Sequence, residues 1–240
     1  PYNFDWNTDD IEEGSHTIRA VAMDDGNLEA EASSNIFIEI PHSFIDSRDG
    51  NEYEFLTIGT QTWMAENLKV SKYSDGTTIP NITDFTQWLN LTSGAWVYYN
   101  NDATNNAKYG KLYNWYAVSK TTNGNKNVCP TGWHVPTAAE WTVLTDYLGG
   151  DSFAGGKMKE VGTTNWNSPN TEATNTSLFT GLPGGYRNGS GDYGFIDNYG
   201  NWWSSTEYYD YGGIQTLEYA NTFAYFFNYP KIAGCSVRLI

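Results

Sequence analysis

The chain has 240 residues and a formal net charge of −15, from 28 acidic and 13 basic residues. Hydrophobic residues make up 39% and aromatic residues 16% of the chain, which excludes extended disorder and suffices for one domain plus a fragment of another. No apolar run reaches the roughly 20 residues that a membrane-spanning helix needs, so membrane insertion is excluded. The acidic balance argues against nucleic acid as a partner.

The first forty residues predict a β-hairpin. Residues 15–23 alternate as a strand does, with Ile18 and Ala20 on one face. Asp25-Gly26 is a strong hairpin-turn signal. A second strand ends in residues 36–40, and Pro41 stops it because proline has no N–H to donate.

From residue 42 onward the patterns predict an α+β domain with few helices, short antiparallel strands and long irregular loops. We expect two helices, over residues 109–118 and 137–148. Thr137 and Glu140 form a capping-box pattern, and Gly149-Gly150 ends the second helix. Strands are expected at residues 53–58, 61–64, 179–182, 202–205, 222–227 and 235–239, the last of them central and beside the strand near Phe55.

Several motifs of this second region resemble known families. The run W-H-V-P-T-A-A-E-W from Trp133 is similar to an element of the sulfatase-modifying (formylglycine-generating enzyme) family, a branch of the C-type lectin-like fold. A closer resemblance is to the Fibrobacter succinogenes major paralogous domain. It is carried by I-G-T-Q-T-W-M-A-E-N-L from Ile58, Y-G-K-L-Y-N-W-Y-A-V from Tyr109, L-P-G-G-Y-R from Leu182 and W-W-S-S-T-E from Trp202.

These resemblances imply a domain organisation and a location. Residues 42–240 would form a C-type lectin-like domain. Residues 1–41 resemble the C-terminal strands of a bacterial immunoglobulin-like module, which implies a larger multidomain protein. The family occurs on secreted and surface proteins of bacteria, so we expect an extracellular or cell-surface location.

The two cysteines, Cys129 and Cys235, leave two alternatives open. They are far apart without a C-x-x-C motif, which fits neither zinc nor a thioredoxin-type site. They form either a long-range disulfide, which we favour slightly, or two buried thiols. The family usually ends G-F-S-V-R-C, with its second cysteine where this chain has Leu239. Cys235 lies four residues earlier, about 13 Å along a strand.

Catalysis and calcium binding find little support in the sequence. Formylglycine-generating enzymes use a reactive cysteine pair that binds copper, and no such pair is visible here. His134 fits a structural role, so we predict no catalytic residue and no cofactor. The C-type lectin tripeptides E-P-N and Q-P-D are absent. A structural calcium held by Asn100, Asn101 and Asp102 is one alternative, and an Asn/Asp-rich surface loop is the other.

The C-terminal region carries the candidate binding site. Nine of the 18 tyrosines lie between Tyr186 and Ile240, mixed with Asn, Gly and Asp as in antibody paratopes. We predict that eight side chains share one solvent-exposed face: Tyr193, Tyr208, Tyr209, Tyr211, Tyr219, Asn221, Tyr225 and Tyr229. Phe223 and Phe227 are expected to be buried. The placement resembles variable proteins of diversity-generating retroelements, which implies a diversified ligand-binding surface.

Three functions follow, in order of preference. The first is a non-catalytic recognition or adhesion domain of a bacterial surface or secreted protein that binds glycan or protein. The second is a structural or assembly domain of a surface appendage without a ligand. The third is a formylglycine-generating-like enzyme.

Overall fold

The computed structural model describes residue 12 and residues 14–23, 29–38 and 42–240. The chain divides into two compact units, Pro1–His42 and Ser43–Ile240. In the described part of the chain, no helix is long and apolar enough to cross a membrane.

The first unit contains the predicted hairpin. Strands β1 (Gly14–Met23) and β2 (Glu29–Ile38) pair in antiparallel fashion, with Gly14 opposite Ile38 and Met23 opposite Glu29. The predicted turn at residues 24–28 and the predicted strand end at residues 39–41 lie outside the described residues.

The second unit is a mixed α+β domain of short elements. Its strands are β3 (His42–Ile45), β4 (Glu52–Ile58), β5 (Gln61–Met64), β6 (Trp96–Val97), β7 (Leu112–Asn114), β8 (Gly184–Arg187), β9 (Tyr193–Ile196), β10 (Tyr199–Tyr208), β11 (Tyr211–Glu218), β12 (Ala224–Pro230) and β13 (Gly234–Cys235). Its helices are α1 (Phe85–Leu89), α2 (Asn105–Tyr109), α3 (Trp115–Val118), α4 (Ala138–Tyr147) and α5 (Asp151–Met158), with a 3₁₀ turn at Tyr99–Asn101.

The two predicted helices had different outcomes. The helix over 137–148 is confirmed as α4, and Thr137 and Glu140 make both hydrogen bonds of the capping box. The helix over 109–118 is wrong. Gly110 adopts a φ of 71°, which ends α2, and the next residues pair as strand β7 before Asn114 caps the short α3. Helices α1, α2 and α5 were not predicted from the sequence.

The strands of the second unit form three small sheets. Their strand orders are β3-β4-β5, β6-β7-β13-β8-β9 and β10-β11-β12. The C-terminal strand expected over residues 235–239 is shorter than predicted, since β13 covers Gly234–Cys235 and the chain after Ser236 is not in a strand, but its central position between β7 and β8 is as expected. The expected neighbour is wrong, because the strand near Phe55 belongs to another sheet. Residues 179–182 form no regular strand, only a bridge between Gly181 and Lys159.

Two large aromatic cores fill the second unit. The first core surrounds Tyr113, Trp115 and Trp203, and the second surrounds Trp63, Trp141 and Trp202. After β13 the chain runs between them: the N–H of Leu68 donates to the Val237 carbonyl at 2.8 Å, and that of Met64 donates to the Leu239 carbonyl at 3.0 Å. Val237 and Leu239 are fully buried, as the central placement requires.

The disulfide between Cys129 and Cys235 is not present. Both cysteines are free thiols buried in the first core. Cys235 pairs with Tyr113 in the register of β13 and β7.

Four buried cations connect the loops of this unit: Lys111, Lys159, Arg187 and Arg238. Each donates to main-chain carbonyls, and each lies within 6 Å of the centre of an aromatic ring. Among the residues that the structure describes, none of the four pairs with a carboxylate. Main-chain carbonyls, ring faces and, for Lys111 and Arg238, the side-chain oxygens of Asn106 and Asn67 therefore hold these charges.

Candidate functional site

The sheet β10-β11-β12 presents two different faces. Its register places Trp203 opposite Ile214 and Ile214 opposite Phe227, so these three side chains share one face. The alternate residues, Trp202 and Leu217 among them, belong to the second core. We call the face that carries Phe227 the pocket face.

The pocket face borders a concave site of about 370 Å³, which we call the aromatic pocket. Five aromatic residues line it together with four others: Tyr186, Phe195, Tyr199, Phe227 and Tyr229, with Asn201, Ile214, Thr216 and Asn228. This volume and composition are typical of small-ligand sites, which are apolar and contain few polar groups.

Neighbouring rings in the pocket meet at different angles, one pair stacked and two pairs steeply inclined. Tyr186 stacks on Phe195, with ring centres 5.5 Å apart and planes at 24°. Tyr229 meets Tyr186 at 67°, and Tyr199 meets Phe195 at 79°. The rings therefore surround a space instead of forming one flat surface.

A ladder of stacked rings holds Phe227 at the pocket edge. Phe223, Tyr225 and Phe227 alternate along the chain, and their ring centres are 5.2 and 5.5 Å apart. The prediction that Phe223 and Phe227 are buried is wrong, since they are 39% and 49% exposed. Because β12 is an edge strand, this row of rings has no further strand beside it.

The β8–β9 hairpin places two rings through unusual backbone geometry. Phe195 adopts a φ of 62°, which costs a bulky residue about 1–3 kcal/mol. Gly185 has a φ of 64°, and a Cβ atom there would lie 2.5 Å from the Gly194 carbonyl oxygen. Glycine therefore allows the close approach of the two strands that brings Tyr186 against Phe195.

The polar groups of the pocket are largely paired. The Thr216 hydroxyl donates to Oδ1 of Asn201 at 2.9 Å. The Tyr199 hydroxyl donates to Oε1 of Glu218 at 3.2 Å. Burial raises the pKa of Tyr199, and the Glu218 carboxylate adds to this increase. Burial likewise raises the pKa of Tyr229, and a hydrogen bond with Tyr186 contributes.

Lys159 holds the β11–β12 turn in place. Its ammonium donates to three main-chain carbonyls, those of Thr171 at 3.1 Å, Glu218 at 3.0 Å and Asn221 at 2.8 Å. Burial lowers the pKa of Lys159 to about 8. The contacts to Glu218 and Asn221 fix the turn between β11 and β12, the strands that carry Thr216 and Phe227.

Asn67 connects the predicted family motifs to the sheet. Its Oδ1 accepts from the Trp202 indole at 2.8 Å and from Nε and Nη2 of Arg238 at 3.1 and 2.8 Å. Its Nδ2 donates to the Tyr109 carbonyl at 2.9 Å. The motif residues Asn67, Trp202 and Arg238 therefore have a structural role.

The structure brings only part of the predicted site together. Tyr229 lines the aromatic pocket, and Tyr225 lies behind Phe227 in the ladder. Tyr208, Tyr209 and Tyr211 lie at the β10–β11 turn, where Tyr208 contacts Phe226 on the opposite face of the sheet. Tyr209 is 96% exposed and lies outside the pocket.

The other three predicted site residues have structural contacts. The Tyr193 hydroxyl donates to Oδ1 of Asn101 at 2.7 Å. Tyr219 is partly buried against the second core. Nδ2 of Asn221 donates to Oε2 of Glu218 at 2.5 Å. The expectation that all eight residues share one face is therefore wrong, because strand alternation and the turns separate them.

Four residues that line the pocket were not among the predicted site residues: Tyr186, Phe195, Tyr199 and Phe227. A signal for the last was present, since positions 223, 225, 227 and 229 are all aromatic and follow the period of a strand. Tyr186, Phe195 and Tyr199 come from other strands, and only tertiary pairing brings them to this face.

The candidate calcium loop and the cysteines lie elsewhere. Oδ1 of Asp102 accepts hydrogen bonds from the N–H and hydroxyl of Thr104, and Asn101 is occupied by Tyr193. In the described ranges, no group of three or more His, Cys, Asp or Glu residues could hold a metal ion. Burial raises the pKa of Cys129 to about 12, which keeps this thiol protonated at neutral pH.

Comparison with known proteins identifies a family. Neither the curated proteins nor the solved structures give a match. The model of the Fibrobacter succinogenes major domain matches residues 56–240, more than three quarters of the chain and all of the residues that line the aromatic pocket. The chain therefore belongs to the Fibrobacter succinogenes major domain family.

Proposed function

We propose that this protein is a non-catalytic recognition domain of a bacterial surface or secreted protein, built on a C-type lectin-like scaffold and following an immunoglobulin-like module. It binds its ligand, a group on a glycan or on a protein, in the aromatic pocket. The concave cluster of five rings is the observation that carries the proposal.

Exposed aromatic rings support a binding role. Phe195 and Phe227 are 52% and 49% exposed, although both belong to one pocket. Contiguous apolar surface of this kind marks interaction sites in soluble proteins. The strained φ of Phe195 points the same way, since such strain is concentrated at functional sites.

The chemistry of the nucleophiles supports a non-catalytic role. Cys129 and Cys235 are buried, and burial raises the pKa of both thiols. His134 is hydrogen-bonded to Glu140 at 2.8 Å, and that carboxylate also caps α4. These hydrogen bonds give His134 and Glu140 a structural role that requires no catalysis.

Two single substitutions test the proposal on the full chain. A glycan array and a panel of purified surface proteins are probed in calcium and again in EDTA. Phe227→Ala should abolish binding to whatever the wild type recognises, while Tyr209→Ala should bind normally. Thermal melting of both variants confirms folding. If Phe227→Ala folds and binds like wild type, the pocket is not the recognition site.

The alternative, a structural or assembly domain without a ligand, makes a different prediction. It expects no binding in either panel and no effect of Phe227→Ala on any interaction. A wild-type protein that binds nothing in both panels would favour this alternative.

A further inference from the structure

We propose that the aromatic pocket binds a quaternary ammonium group. This inference deepens the proposed function and rests on it, because it names the chemical group that the pocket recognises.

The arrangement of the rings favours a cation that contacts several of them. A flat sugar ring stacks on one open aromatic face, whereas a tetrahedral ammonium group can contact several inclined faces at once. Two of the three neighbouring ring pairs meet at 67° and 79°, and the third, Tyr186 and Phe195, is stacked at 24°. Aromatic faces carry negative charge, and cages of rings recognise quaternary ammonium groups through it.

The charge around the pocket also favours a cation. None of its nine lining residues is Lys or Arg. The Glu218 carboxylate accepts a hydrogen bond from the Tyr199 hydroxyl and adds negative charge beside the rings. Lys159 contacts the main-chain carbonyl of Glu218 and forms no ion pair with the carboxylate. Residues 43–240 contain 18 acidic and 12 basic residues, a net charge of −6 that also favours a cation over an anion.

The paired polar groups argue against a neutral sugar. Sugar hydroxyls need free donors and acceptors, but Thr216 and Asn201 are hydrogen-bonded to each other. The Tyr199 hydroxyl donates to the Glu218 carboxylate. A quaternary ammonium group makes no demand on these bonds, because it has no N–H to donate.

Calorimetric titration of the full chain with choline tests the inference. The matched control is 3,3-dimethylbutan-1-ol, which has the shape of choline without its charge. We expect choline to bind at least about tenfold more tightly than this alcohol, the factor that corresponds to about 1.4 kcal/mol of cation–π attraction. Equal affinities for the two compounds would overturn the proposal, as would a failure of choline to bind.

Three variants locate the interaction. Phe227→Leu keeps an apolar side chain without a ring face, so it should weaken choline binding and leave the alcohol unaffected. Glu218→Gln should weaken choline binding severalfold. Tyr209→Ala should bind choline as wild type does. Choline binding that survives Phe227→Leu unchanged would place the ammonium outside the pocket and refute the inference.

A further titration and the combined results of the choline and array experiments distinguish this inference from the proposed function. Phosphocholine should bind more weakly than choline, because the acidic domain repels its phosphate, and the opposite order would contradict the charge argument. If choline fails but an array ligand is lost in Phe227→Ala, the inference is wrong and the recognition function stands. If choline and the arrays both fail, neither stands.

Discussion

Replacing Lys159 with Met should destabilise the second unit by several kcal/mol. Methionine has a similar length and volume but cannot donate a hydrogen bond. The substitution removes three hydrogen bonds from a charged donor to carbonyls, at 2.8–3.1 Å. Each is worth about 1.5–3 kcal/mol, so the gross loss is about 5–9 kcal/mol.

The gain from removing a buried charge offsets part of this loss. Burial lowers the pKa of Lys159 from 10.5 to about 8. At about 1.4 kcal/mol per pKa unit, this shift corresponds to roughly 3 kcal/mol that the neutral methionine does not incur. The expected net destabilisation is therefore about 2–6 kcal/mol.

Urea denaturation followed by tryptophan fluorescence measures this change, because nine of the ten tryptophans lie in residues 43–240. The control is Lys157→Met, in the last turn of α5 and two residues before Lys159, which is the C-cap residue of that helix. Lys157 is exposed, and its ammonium donates to one carbonyl, that of Leu148 at 2.8 Å. We expect the control to lose less than about 1 kcal/mol. A Lys159→Met midpoint no lower than that of the control, with an unchanged slope, would show that the three carbonyl contacts contribute nothing.

Three further predictions concern stability. Burial lowers the pKa of Lys111 from 10.5 to about 8, so between pH 8 and pH 10.5 the unfolded state binds more protons than the folded state, and the free energy of unfolding should rise with pH. Urea denaturation at pH 8 and pH 10 should show a smaller rise in Lys111→Met than in wild type, and equal rises in the two proteins would contradict this pKa assignment. Asn67→Ala removes the oxygen that accepts hydrogen bonds from both Arg238 and Trp202. It should lower the free energy of unfolding in urea by about 3–5 kcal/mol, because the buried Arg238 guanidinium loses one of its acceptors, and a decrease under about 1 kcal/mol would refute this role. Gly212→Ala places a Cβ atom 2.1 Å from the Trp115 ring, so it should destabilise the fold by about 1–3 kcal/mol and lower the melting temperature. An unchanged melting temperature would mean that the Trp115 ring moves aside without cost.

Local signals in the sequence predicted the local elements correctly. The Thr137–Glu140 capping box acts within four residues, so α4 was predictable from its own sequence. The β1–β2 hairpin and the strands β4 and β5 were predictable for the same reason, because alternation and turn residues are adjacent in the chain. The family resemblance, which the family match to residues 56–240 confirms, added the order of the motifs.

The errors occurred where distant segments decide the structure. Leu112 and Tyr113, with Tyr116 and Ala117, form an apolar pattern with helical spacing in the sequence. In the structure, however, Leu112 and Tyr113 pair with Val97 and Trp96 of strand β6. That pairing outweighs a weak helical preference. The aromatic pocket was missed for a related reason, since Tyr186 and Tyr229 are far apart in the chain and meet only after the strands assemble. Composition identified the aromatic C-terminal region but not the face on which each ring lies.

The buried cations make the scaffold tolerant of sequence change in its loops. The acceptors of Lys159 are carbonyls of the backbone, which every amino acid supplies. A new side chain at Thr171 therefore leaves the acceptor in place, whereas an ion pair with a carboxylate would be lost on most substitutions. Lysines and arginines that bind the backbone in this way hold the loops in place whatever side chains the loops carry at those acceptor positions.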